Sequence, residues 1–441
     1  MCALPAPGFA ALWPEDDLVR RVRRVLTIAV QTTKALAAEG YTDPDEPEAQ
    51  VGATKIVGET ALLLFVIAPA ARRFPELRRD IAALAKQLIP YARAEALRVG
   101  LCMRPALARD YGLAHVCLSA IGYPDAVFDS LYRSSVEAHS AGFRERVPYR
   151  MMEQRWIHRV WSGTRGRTPE DGRIARNSML ARSPGALIAS RDDVYAFTHA
   201  LMYASDFGEM PTGIPRSKRA VLEDAEASLA RCLDMEDYDL AGELLLAWPL
   251  LSYRWSASAS FAFRVLARVE DEVGFLPAPT TRVDRYHSLG RAADQKRYVL
   301  ATAYHTAYVM GVLCAMMLRP GGTRAAAGWR ASNAISETDY DKLREVMREV
   351  APPRPRANAP HWLTDLDVLP VRERISLSPM LWTVALQRTA MNGDLVQLRN
   401  VLEIGLHLRI ASGPAAREAV RVLRSTALLS GSLASSASAA N

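Results

Sequence analysis

Helical periodicity runs almost unbroken along this chain, and no stretch shows the sustained apolar–polar alternation of a strand bounded by turn residues. That excludes sheet architectures and leaves only ways of packing helix on helix. The helices are of two kinds. Segments 104–120, 192–206, 236–251, 294–318 and 378–391 are apolar on nearly every side. Segments 124–139, 218–233 and 336–350 pair one apolar stripe with a charged face. A helix without a polar face is buried all round, and an amphipathic one covers it. Alternation of the two predicts an all-α fold, either an α/α toroid or a helical-repeat array of paired inner and outer helices. A bundle with a thick core fits the same alternation.

Glycine and proline punctuation divides the 441 residues into five parts. These are an N-terminal helical region (1–162), a basic Gly/Pro-containing loop (163–190), a central helical region (191–320), a C-terminal helical region (321–429) and a Ser/Ala-rich tail (430–441). The loop has the length of an active-site lid, and the tail is expected to be disordered. The formal net charge of +7 raises the question of nucleic acid. Only six of the 55 basic side chains are lysines, and the arginines are scattered among abundant alanines. A GC-rich bacterial genome produces that bias without selection for anion binding. No nucleic-acid motif accompanies it, so no nucleic-acid partner is expected.

The apolar run 60–71 is about half the ~20 residues that cross a bilayer, so no membrane association is expected. Acidic residues at Glu15, Asp16 and Asp17 precede any long apolar run, unlike a secretory signal. Cys2, Cys102, Cys117, Cys232 and Cys314 are odd in number and lack C-x-x-C spacing. They read as mostly buried free thiols in a reducing cytoplasm.

Three groups of polar residues stand out against this apolar background. Asp192, His199 and Asp206 recur every seven residues, and Tyr195 and Tyr203 flank His199 at i−4 and i+4. Seven residues are about two helical turns, so all five share one face. As a cavity wall, His199 would transfer protons with Asp206 or Asp192 as its orienter. As structure, the acids serve the helix ends and the others are satisfied core groups.

The second group is Asp234, Glu236, Asp237 and Asp239, followed by Glu243 inside a run of aliphatics that ends at Trp248. Acids at a helix start complement its dipole. A carboxyl among aliphatics is either paired, for instance with an arginine, or neutral with a raised pKa, as a general acid requires. The third is Tyr298, Tyr304, His305 and Tyr308 on the long apolar helix, a histidine between tyrosines as before. His199, His305, Asp206 and Glu243 are eligible metal ligands, but none has a diagnostic spacing, and neither metal nor cofactor is expected. No P-loop, strand-borne G-x-G-x-x-G or G-x-S-x-G elbow is present, which excludes the usual nucleotide-dependent and α/β-hydrolase chemistries.

Two resemblances bear on these residues. Asp234 to Asp237 is similar to the D-x-D-D motif of class II terpene cyclases, with Glu236 where that family has its acid. The segment 195–208, Tyr-Ala-Phe-Thr-His-Ala-Leu-Met-Tyr-Ala-Ser-Asp-Phe-Gly, resembles an uncharacterised, mainly actinobacterial family of all-helical proteins, over roughly 192–318. That resemblance implies a bacterial origin, often near specialised-metabolite genes, and brings no catalytic residues with it.

The combined expectation is a metal-independent acid–base enzyme acting on a small or mid-sized, partly apolar substrate by cyclisation, hydrolysis or elimination. His199, Asp206, Asp192, Glu243 and His305 would carry the chemistry. Tyr195, Tyr203, Trp248, Tyr304 and Tyr308 would line the pocket. The alternatives are a non-catalytic helical scaffold that binds a peptide, and a regulatory protein that binds a small ligand unchanged.

Overall fold

The computed structural model describes residues 13–36, 52–138, 144–164, 166–210, 213–320, 322, 335–352 and 360–439, with side chains as far as 428. Among these residues the fold is all-α, with no strand. Ten helices position the polar groups of interest and their supports. They are α1 (Glu15–Lys34), α2 (Ala53–Ile67), α3 (Ala108–Ala120), α4 (Pro148–Ser162), α5 (Arg191–Ala204), α6 (Lys218–Asp234), α7 (Tyr238–Leu245), α8 (Ala257–Val273), α9 (Ala292–Met317) and α10 (Ser378–Met391).

Six of them touch in a closed circuit: α9 packs on α2, α2 on α3, α3 on α4, α4 on α5, α5 on α7, and α7 back on α9. Amphipathic α1 covers α9 from outside, while α6 and α8 cover α7. Sequence polarity marks four of the six as buried helices. The apolar run 60–71 reads as buried too and supplies the second half of α2, while α4 escapes that test because its face carries Glu153, which is paired with Arg150. The apolar α10 lies outside the circuit, against α6 and the helix Leu395–His407.

Close approach of α7 and α1 to α9 depends on two glycines. A Cβ on Gly242 of α7 would meet Val309 of α9 at 2.7 Å, and one on Gly311 would meet Val25 of α1 at 2.7 Å. Helix α9 is long and apolar enough to cross a membrane by length and composition, a possibility that the apolar run 60–71 did not raise. Its most apolar window is 83% buried inside this fold, as a core helix must be.

Buried ion pairs tie the outer layer down. Arg21 of α1 is bonded to Glu270, to Asp271 at 2.6 Å and to Asp17 at 2.9 Å, with Arg20 and Arg24 completing three arginines against three acids. On the other side Arg388 of α10 grips both carboxylate oxygens of Asp234 through Nε and Nη2.

Several local expectations are corrected. The loop 163–190 contains helix Pro169–Asn177 and a 3-10 turn, Met179–Ala181. Thr168 and Asp171 form a capping box around Pro169, a start signal that the Gly/Arg/Pro content concealed. The stretch 236–251 is two helices, Tyr238–Leu245 and Ala247–Leu250, entered through Glu236 at φ 55°. The last helix, Gly413–Ala439, continues past the expected end at 429 into the Ser/Ala-rich segment, whose alanines favour helix. Cys117, Cys232 and Cys314 are buried free thiols, Cys102 is exposed, and Cys2 lies outside the described residues.

Candidate functional site

Helix α5 starts at Ser190, whose hydroxyl accepts the Asp193 amide at 3.0 Å while the Asp193 carboxylate accepts the Ser190 amide at 3.0 Å. This capping box fixes the helix register and turns His199 inward. The expected stripe then comes apart at its ends. Asp192 is exposed in the first turn. Asp206 lies beyond the last helical residue, at φ 51° in a left-handed turn, where it accepts the indole N–H of Trp156. Heptad spacing holds only while the chain stays helical, and α5 ends at Ala204. Neither acid reaches His199.

The partner of His199 is Glu243. Their nearest atoms, Nδ1 and Oε2, are 3.5 Å apart, and Thr198 donates its hydroxyl to the same Oε2. His199 Nδ1 lies 3.0 Å from the Tyr195 carbonyl, which can only accept, so the hydrogen sits on Nδ1. Nε2 is left with its lone pair and takes no hydrogen bond among the described residues. Tyr195 lies over the imidazole with ring centroids 3.7 Å apart, and Tyr149 meets its edge at 5.8 Å.

One turn back on α7, Asp239 faces the second histidine. His305 Nδ1 is 2.8 Å from Asp239 Oδ1, which also accepts from Thr306 at 3.0 Å; Arg191 donates to Oδ2 at 2.9 Å. Burial opposes ionisation of Asp239, but His305, Arg191 and Thr306 outweigh it and hold the carboxyl below its ordinary value. Burial likewise opposes charge on His305, and Asp239 with Glu59 overcomes it, raising its pKa to about 10. Glu59 of α2 closes the group, 3.9 Å from His305 Nε2 and accepting the Tyr304 hydroxyl at 2.7 Å.

The remaining expected residues divide. Tyr195 and Tyr304 border the cluster. Tyr203 turns away to donate to Glu153 at 2.8 Å, and Tyr308 pairs with Thr60 at 3.0 Å in the core. Trp248 is buried in a stack with Trp255, centroids 6.1 Å apart, and takes no part. Asp234, in the segment similar to the cyclase motif, is occupied by Arg388, so the similarity carries no site. A cavity of about 700 Å³ opens among Arg109, Arg144, Arg146, Gln154 and Arg155, and it includes neither histidine.

Sequence reasoning missed Glu59, Arg191, Thr198 and Thr306, and placed Asp239 only among the helix-start acids. Two signals were available. Asp239 and Glu243 are spaced i,i+4 on one face, and Glu59 is an acid in an apolar helix just as Glu243 is.

The model of a protein family described as a domain of unknown function, DUF6895, matches residues 22–315. The chain belongs to this family. The DUF6895 match encloses every residue of the cluster, from Glu59 to Tyr308, and accords with the uncharacterised family suggested by segment 195–208. No curated protein and no solved structure matches the chain.

Proposed function

We propose that this DUF6895 protein is an acid–base enzyme acting on a small or mid-sized, partly apolar substrate, with His199 as the proton-transfer group. One observation carries the reading: Asp239 and Glu243, one turn apart on α7, each face a histidine from a different neighbouring helix. Glu243 replaces the expected Asp206 and Asp192 as the orienter of His199. With Nδ1–H directed at the Tyr195 carbonyl, Nε2 presents the lone pair that a general base uses. The Asp239–His305 pair fixes a dipole beside it, and the rings of Tyr149 and Tyr195 supply the apolar wall. Cyclisation, elimination and hydrolysis all need a base so placed.

The closed circuit of helix contacts supports an α/α toroid, with the six helices as its inner wall. The Arg/Ala bias and the resemblance of segment 195–208 support an actinobacterial, cytoplasmic protein of specialised metabolism. A second reading, a peptide-binding scaffold without turnover, draws on the position of the large cavity, which lies away from both histidines.

The test is turnover. Compounds that raise the melting temperature of the wild type in a thermal-shift screen are assayed for conversion by wild type and His199→Ala. General-base loss lowers kcat by about 100-fold or more with the melting temperature unchanged. Equal conversion by the two proteins would end the proposal. Ligands that bind wild type without any conversion would favour the scaffold.

A further inference from the structure

We infer that Asp239, Glu243 and His305, with Glu59 beside them, form a binding site for one divalent transition-metal ion. The first three offer ligand atoms that all lie within 4.8 Å of one another, from two helices, and Glu59 brings a third helix. His305 Nε2 and Glu59 Oε1 are 3.9 Å apart, too far for a hydrogen bond. The 2.8 Å between His305 Nδ1 and Asp239 Oδ1 suits two ligand atoms on one ion, since metal–nitrogen and metal–oxygen bonds are each about 2.0–2.2 Å.

The surroundings are those of a metal site. With Nδ1 on the ion in place of its proton, Nε2–H is directed towards Glu59, the carboxylate–histidine arrangement that orients metal-bound imidazoles. Each carboxylate is steadied by a donor that does not compete for the ion: Thr306 and Arg191 on Asp239, Thr198 on Glu243, Tyr304 on Glu59. Glu243 is 3% exposed and meets no arginine or lysine among the described residues, only the Thr198 hydroxyl and, at 3.5 Å, His199 Nδ1. A buried carboxylate in that position is ordinarily paired or bound to metal.

Charge and donor type narrow the ligand. Glu59, Asp239 and Glu243 bring three negative charges, against which stand Arg191 and, 3.8 Å from Glu59, the exposed Lys55. One imidazole nitrogen among carboxylate oxygens suits Mn²⁺, Fe²⁺ or Zn²⁺ rather than Ca²⁺, which takes oxygen alone. The sequence raised no expectation of metal because the ligands come from separate helices and leave no local spacing.

The proposal rests on the location shared with the acid–base reading and not on any reaction. The experiment is calorimetric titration of the full-length protein, stripped by chelator, with Mn²⁺, Zn²⁺ and Ca²⁺ at about pH 8, where ligand protonation competes less. Wild type is expected to bind one Mn²⁺ or Zn²⁺ per chain, more tightly than Ca²⁺. Glu59→Gln and His305→Ala should each weaken binding by about ten-fold or more, with unchanged far-UV circular dichroism as the fold control. Glu59→Gln, on a partly exposed side chain, keeps the test open if His305→Ala does not fold. No one-to-one binding, equal affinity in a folded variant, or tighter binding of Ca²⁺ would overturn the site. His199→Ala separates the two readings: it should abolish turnover and leave metal affinity intact.

Discussion

Two partly buried clusters of charge in this molecule have opposite designs. Beneath α1, three arginines (Arg20, Arg21, Arg24) face three acids (Asp17, Glu270, Asp271), and every charge has a fixed partner of the opposite sign. Between α2, α5, α7 and α9, the carboxylates Glu59, Asp239 and Glu243 have Arg191, the exposed Lys55 and two histidines among them. The first cluster is complete without any ligand and works as a clamp. In the second, the buried Glu243 meets no arginine or lysine among the described residues. Completeness of pairing, more than burial, separates a structural network from a site.

The largest effect should appear in the clamp. Arg21→Ala leaves Glu270, which is 1% exposed, with only Arg24 at 3.5 Å, and should lower unfolding free energy by about 3 kcal/mol in denaturant titration. A loss below ~1 kcal/mol would mean that the clamp is not what holds α1 to α8.

Next is pH. In chelator-treated protein, His305 has a folded pKa of about 10, above the ordinary histidine value. A raised pKa favours folding while the unfolded chain is also protonated, so this contribution is full below about pH 6.5 and is lost as pH rises towards 10. The depressed Asp239 carboxyl acts in the opposite direction, stabilising above its unfolded value and failing in strong acid. NMR titration of the His305 ring checks the pair; a midpoint near 6.5 would show that it carries no charge-pairing advantage.

The smallest effect has the most diagnostic sign. Glu243→Gln keeps an acceptor for Thr198 and removes a charge that lacks a fixed cation. Metal-free stability should stay level or rise by up to about 1 kcal/mol. A loss as large as that from Arg21→Ala would make the two clusters alike.

Much of the site was legible in part. His199, His305 and Glu243 were found because each is a polar group in an apolar helix, and polar groups there need a reason. The partners were assigned wrongly wherever they were sought along one helix. Asp206 was paired with His199 by heptad arithmetic, yet the helix ends two residues earlier, and the true partner comes from α7. Asp239 was read as a helix-start acid, which its position in the first turn of α7 justifies, although the same carboxylate also binds His305. Tyr203 and Trp248 share the character of pocket residues but point into core contacts that only packing defines.

By itself the sequence determined the all-helical class and which helices lose their contact with water, because periodicity and side-chain polarity are local properties of each segment. Tertiary structure alone decided which acid meets which histidine. Those pairs join residues 44 apart (His199 with Glu243) and 66 apart (Asp239 with His305), and nothing local specifies how α5, α7 and α9 are set against one another. That arrangement comes from close packing of the whole interior, down to the missing Cβ of Gly242 that lets α7 approach α9.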